Sequence, residues 1–246
     1  MTIGLLFAII IIFIIIFTRE VIAPASKAHC DRRWQLLASA INGLQLIFAL
    51  GVGFIFQQWI NGHSLLRMPV FVQAHPALGG VCSFFLASFI AYWWHRAMHY
   101  SNWLWRIFHQ LHHSPPRIEA LTAFYAHPFD AAMASLISCV SAYLILGLDA
   151  YAAAWGLVWV SAFNFYIHSD SSSPYILAYF VQRPEMHRIH HETGLHLNNY
   201  GLPLWDLLFG TWENPVTAPK ICGFSDDAHL RVYEMLLGKD VQCDDP

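Results

Sequence analysis

Residues 3–17 read IGLLFAIIIIFIIIF, an unbroken apolar run. A chain carrying such a run can bury it only in a large hydrophobic core or in a bilayer. A helix crossing the hydrocarbon layer takes about 20 residues, and with Met1, Thr2 and Thr18 as flanks the run is long enough. No basic residue precedes it and Arg19 follows it, so we expect a retained span despite the small-residue stretch Ala23-Pro24-Ala25. Similar stretches recur over Trp34–Ile60 and over 70–94, the latter ending in Tyr92-Trp93-Trp94, aromatic residues suited to the membrane interface. Two shorter stretches, 131–147 and 150–167, meet at Gly147-Leu148-Asp149. They predict a helical hairpin that crosses and returns, dips in deeply, or is buried beneath a cap. Residues 174–181 (PYILAYFV) suit the interface rather than a crossing.

Composition agrees. Only 12% of the 246 residues are charged, against about 25% in soluble domains. The net charge of -3 gives no basis for nucleic-acid binding. With spans at these positions, twelve of the thirteen basic residues fall on one side. The positive-inside rule makes that side cytoplasmic and puts the N-terminus outside. The expected fold is an all-α integral membrane bundle, about three spans plus a helical hairpin, forming a single membrane domain over residues 1–246. N-terminal transmembrane helices occupy 1–80, and a cytoplasmic C-terminal tail occupies 216–246. Whether the membrane is a bacterial inner membrane or the endoplasmic reticulum stays open.

The five cysteines (Cys30, Cys82, Cys139, Cys222 and Cys243) form no C-x-x-C pair, so thiolate zinc and covalent haem attachment are not indicated. Histidine is the anomaly, with fifteen against thirteen lysines and arginines. Three clusters stand out: His95 and His99 in HRAMH; His109, His112 and His113 in HQLHH; and His187, His190 and His191 in HRIHH. Residues three and four apart share a helix face, so each cluster converges. Imidazole suits iron, copper, zinc and nickel. One zinc ion takes about four ligands, so eight imidazoles suit two ions. A lone pair of this spacing is commonly an ordinary surface or core pair. Three clusters on the same side of a membrane domain point to a metal-binding cap. Asp206 and Glu192 are candidate acceptors for the far ring N–H of a ligating histidine, although Asp206 could equally cap a helix.

These boxes resemble those of the fatty acid hydroxylase and sterol desaturase superfamily. So do Leu104-Trp105-Arg106, the segment from Asn164 to Ser169, Asn199-Tyr200-Gly201, and the stretch from Trp205 to Thr211. Leu207 departs from the pattern, since many members carry Arg there. The resemblance covers about residues 80–215, making 81–215 the expected catalytic region. It implies a non-haem di-iron enzyme, two iron ions held by His95, His99, His109, His112, His113, His187, His190 and His191, with His168 as a ninth ligand. It also implies O2 as co-substrate, a lipid substrate drawn from the bilayer, and electrons from a separate cytochrome b5-like or ferredoxin-like protein. The reaction would be hydroxylation or desaturation of an aliphatic C–H, a monooxygenase-type oxidation. Asn164 could reach the site through a water or simply pack. His127 could ligate or hold the start of the hairpin, and His196 suits a supporting or surface place.

Other readings fit less well. There is no Glu-x-x-His pair for a ferritin-like site. His191-Glu192 precedes His196 by one residue too many for H-E-x-x-H. A membrane haem or metal-binding electron carrier would place single histidines in separate spans, and an ion transporter would carry charge within them.

Overall fold

Proline decides where two of the long helices begin, since it lacks an N–H and disfavours helix at the preceding residue. In the computed structural model, which describes residues 2–26, 32–60, 63–66, 68–219, 221–224 and 226–242, five helices are long and apolar enough to cross a membrane. They are α1 (Thr2–Ile22), α2 (Arg32–Ile60), α3 (Pro76–Tyr100), α4 (Pro128–Cys139, extended to Ile145 by a π-helical segment) and α5 (Ala150–His168). No strand occurs among the described residues, and one isolated bridge pairs Glu192 with Cys222.

The stretch expected as one span over 70–94 is divided. A short helix, Val70–Ala74, stops before Pro76, and α3 starts on that proline and continues to Tyr100. Its last turns therefore carry His95 and His99. Pro128 likewise opens α4, where His127 Nδ1 accepts the Phe129 N–H at 3.1 Å. Asp149 caps α5, accepting from Tyr151 N at 2.9 Å and Ala152 N at 2.8 Å.

α4 and α5 are antiparallel neighbours in sequence, but they do not form a tightly packed pair. α5 lies mainly against α3 and α1, and α4 against α2. The α3–α5 crossing is close because Gly80 faces α5: a Cβ there would stand 2.5 Å from Trp155 Cβ and 2.8 Å from Gly156 N. The outer faces of α1 and α2 expose Phe7, Ile14, Ile47 and Ile55, a surface suited to lipid.

Several polar residues of α1 and α2 point to one end of the bundle. Trp34 Nε1 donates to Glu119, Asn42 Nδ2 to Leu121 O at 2.8 Å, and Gln45 Nε2 to Ala126 O. Buried Glu20 accepts the N–H groups of Ala120 and Asp170, each at 3.0 Å. The same end holds the last turns of α3 and α5, the start of α4 and a cap built from residues 101–127, 169–219, 221–224 and 226–242. The opposite end joins the loop at 63–66 to the α4–α5 turn, where Leu65 N donates to Leu144 O at 2.7 Å. The C-terminal stretch belongs to the cap, with Phe224, Met235 and Val241 buried against Leu111 and Tyr125.

Candidate metal centre

The cap places nine histidines in two adjoining groups. His95, His99, His109, His113 and His190 form one; His112, His168, His187 and His191 form the other. Within each group one ring nitrogen per residue lies within 4.8 Å of all the rest. Helical spacing explains the division. Pairs four apart (His95 and His99, His109 and His113, His187 and His191) stay together, separated by only about 40° around the axis. The residue at the third step, His112 or His190, points about 60° the other way and serves the other group. Each H-x-x-H-H box therefore straddles both groups. A π-helical turn, Trp105–His109, leads into the second box, the kind of bulge that recurs at functional sites.

The outward ring nitrogens fix the tautomers. Nδ1–H is donated by His95 to Tyr200 O at 2.7 Å, by His190 to Asn198 O at 2.7 Å, by His168 to Asn164 O at 2.8 Å and by His112 to Tyr125 O at 3.3 Å. His109 Nδ1 donates to Asp130 Oδ2 at 3.2 Å. The inward Nε2 atoms of these five rings then carry lone pairs, yet they face other ring nitrogens. His95 Nε2 lies 2.8 Å from His109 Nε2 and 3.0 Å from His190 Nε2. In the second group His168 Nε2 lies 3.2 Å from His112 Nε2 and 2.9 Å from His187 Nε2, which is 3.1 Å from His191 Nε2.

Two neutral rings with Nδ1 protonated cannot hydrogen-bond through Nε2. Shared protons are also disfavoured: burial first, and then the neighbouring histidines, hold the imidazoles of His109, His113, His187, His190 and His191 well below their ordinary 6.5. Burial does the same to His112. A cation satisfies what hydrogen bonds cannot. Two nitrogens at about 2.1 Å from one ion and at right angles lie about 3 Å apart. His99 Nε2 and His113 Nε2 are buried without a partner, and a cation would supply one. The donor set therefore fits a metal in each group, all-imidazole in character.

The remaining sequence candidates sit around this centre. Asn164 serves through its backbone carbonyl, while its side chain donates to Val160 O at 2.9 Å. His127 caps α4 and donates from Nε2 to Leu236 O at 3.2 Å, outside both groups. Asp206 accepts from Tyr200 N at 2.9 Å, Gly201 N at 3.2 Å and Thr211 Oγ1 at 2.7 Å, so it braces the loop that meets His95 instead of meeting a ring itself. Burial raises its carboxyl to about 6. Glu192 pairs its backbone with Cys222, and no histidine ring joins its carboxylate among the described contacts. Two residues that carry no motif complete the surroundings. Asp130 meets His109, and His196 Nδ1 lies 3.1 Å from His113 Nδ1. An acid at the cap end of an apolar helix was the available signal for Asp130. His196 had only its nearness to the third box.

Comparison with known proteins follows the same residues. The sequence profile described as "Fatty acid hydroxylase" matches residues 80–211. The chain is 28% identical to the sphingolipid C4-hydroxylase sur2 of Schizosaccharomyces pombe, over 57% of this chain and 50% of that protein. It is 30% identical to the ornithine lipid hydroxylase OlsE of Rhizobium tropici, over 71% of this chain and 54% of that protein. It is 24% identical to the very-long-chain aldehyde decarbonylase GL1-9 of Oryza sativa subsp. indica, over 71% and 70%. The chain thus spans about half the length of the two hydroxylases. No solved structure matches it.

Proposed function

The chain belongs to the fatty acid hydroxylase family, and from that premise we propose that it is a membrane-bound, O2-dependent oxidoreductase acting on an aliphatic C–H of a lipid. The observation that carries this reading is the pair of histidine groups, most of whose outward nitrogens are occupied and whose inward nitrogens converge. His95, His99, His109, His113 and His190 would hold one iron ion, and His112, His168, His187 and His191 a second. A di-iron centre supplies the activation of O2 that no side chain here could provide. In hydroxylation, one C–H, O2, two electrons and two protons become an alcohol and water. In desaturation, two C–H bonds are lost and two waters form.

The chain's own part is to bind, orient and exclude water. Backbone carbonyls of Tyr200, Asn198, Asn164 and Tyr125 hold the rings in one tautomer, and the cap buries most of them. Below the centre, a small cleft of about 70 Å³ opens among α2, α3, α4 and α5, lined by residues including Phe84, Ala87, Leu157 and Val160. Ala87 and Val160 each lie two helical turns, about 12 Å, before His95 and His168. That placement suits a hydrocarbon tail lying in the membrane with its oxidised carbon under the cap. The named lipids of the relatives, a sphingolipid and an ornithine lipid, favour a substrate with a polar head. The charge bias supports a cap on the cytoplasmic side, where a separate cytochrome b5-like or ferredoxin-like protein would deliver electrons.

The test is metal content and an absorption spectrum of the detergent-purified protein, followed by comparison of lipid extracts made with and without it. About two ions per chain, no Soret band and a new oxidised lipid are expected. No stoichiometric metal even after reconstitution with ferrous iron, or one haem per chain, would overturn the proposal.

A further inference from the structure

The two histidine groups are supported differently from behind. In the five-histidine group, His109 Nδ1 meets the carboxylate of Asp130, whose side chain is only 15% exposed. His113 Nδ1 meets another imidazole, His196 Nδ1 at 3.1 Å. In the four-histidine group the supports are weaker. His112 and His168 meet only backbone carbonyls, and the Nδ1 atoms of His187 and His191 are buried with no partner.

His196 is held in place at some conformational cost. Its backbone φ is +46°, uncommon for a residue other than glycine. With Asn198 at +65° and Asn199 at +49° it hooks the segment over the centre. Its ring rests against Trp105, with centroids 5.3 Å apart, and Phe224, 5.9 Å apart. If His113 ligates through Nε2, its Nδ1–H donates to His196 Nδ1, and the proton of His196 then sits on Nε2, which is buried without a partner. A carboxylate or imidazole behind a ligand orients the ring and makes it a stronger donor, and such partners are typically worth about 10–100-fold in metal affinity.

We propose that the two groups are unequal metal sites: the five-histidine group is the tighter one, made so by Asp130 and His196 acting as positioning residues on His109 and His113, and the four-histidine group fills second. This rests on reading the nine histidines as a two-ion centre.

The test is a titration of metal-free full-length protein in detergent with Co2+ against a competing chelator, followed by the visible absorption of the bound ion. The wild type should take up two ions in two separable steps. Asp130→Asn keeps an oxygen acceptor and removes the charge. His196→Asn keeps a residue that tolerates positive φ and withdraws the ring. Each should weaken the tighter step by about 10–100-fold and leave the other step unchanged, which also shows that the cap has folded. His191→Ala should remove the weaker step alone. Variants that leave the tighter step as in the wild type, or weaken both steps equally, would overturn the inequality while the two-ion reading stands. A wild type that binds fewer than two ions would overturn both.

Discussion

His112 serves a different pocket from His109 and His113, three and one residues away. Removing it should therefore empty one site and spare the other. His112→Ala is expected to lower metal content from about two ions per chain to about one and to abolish turnover; His95→Ala and His190→Ala should likewise abolish turnover. Retention of full activity by all three would remove the histidine centre from the mechanism. Acid should act on the metal-free protein through the same residues. Six of the nine histidines lie outside the five long helices, and burial holds them neutral well below 6.5 when folded. Below that value the unfolded chain binds protons that the folded chain does not. Stability is thus full above about pH 6.5 and is lost as pH falls through it. Thermal scans of the apoprotein between about pH 7.5 and about pH 5.5 should show a falling midpoint, and a flat profile would mean these rings are not buried as described. The three boxes were legible because imidazole has few uses at such density. The carbonyls of Tyr200, Asn198 and Tyr125 were not, since any residue carries a carbonyl and only the backbone path aims it. Asp206 shows the limit in another way, because its acidity was visible but its partners, two backbone N–H groups and Thr211, depend on how the loop closes.

At the level of whole helices, the α3–α5 crossing matters most, since these two helices deliver His95, His99 and His168. Gly80 permits the approach. Gly80→Val should collide with Trp155 and the backbone of Gly156, cost about 1–3 kcal/mol by overpacking, and lower metal occupancy by parting the two helices. Unfolding in detergent and metal analysis would measure both, and unchanged values would mean the crossing tolerates separation. Apolar runs located the long helices well, because apolar burial is written in composition. They did not show that Pro76 would divide the third run or that α3 would extend past its aromatic edge to Tyr100. Nor could they show that α5 packs on α3 and α1, a choice made by small residues such as Gly80 and Gly156 that hydropathy does not register. Gly223 is a similar case in the cap: it has φ +78°, its N–H donates to His191 O at 3.0 Å, and a Cβ would sit 2.3 Å from Pro115 O.

For the molecule as a whole, one end gathers the polar chemistry and the other closes apolar turns. Lys239 is 61% exposed at the first end and Leu65 is 71% exposed at the second. In sealed vesicles, Lys239→Cys should react with an impermeant maleimide from the cytoplasmic side only and Leu65→Cys from the opposite side only; the reverse pattern would invert the proposed orientation. The last residues of the cap have a further effect. Arg106 Nε donates to Gly238 O at 2.8 Å, Gln110 Nε2 to Lys239 O at 2.6 Å, and His127 Nε2 to Leu236 O. The segment that fastens the second box thus leaves the ribosome after all five long helices. If the five candidate spans enter the bilayer as they emerge, insertion precedes closure of the cap, and a nascent chain stalled before Leu236 would be anchored yet unable to close the cap around the histidines.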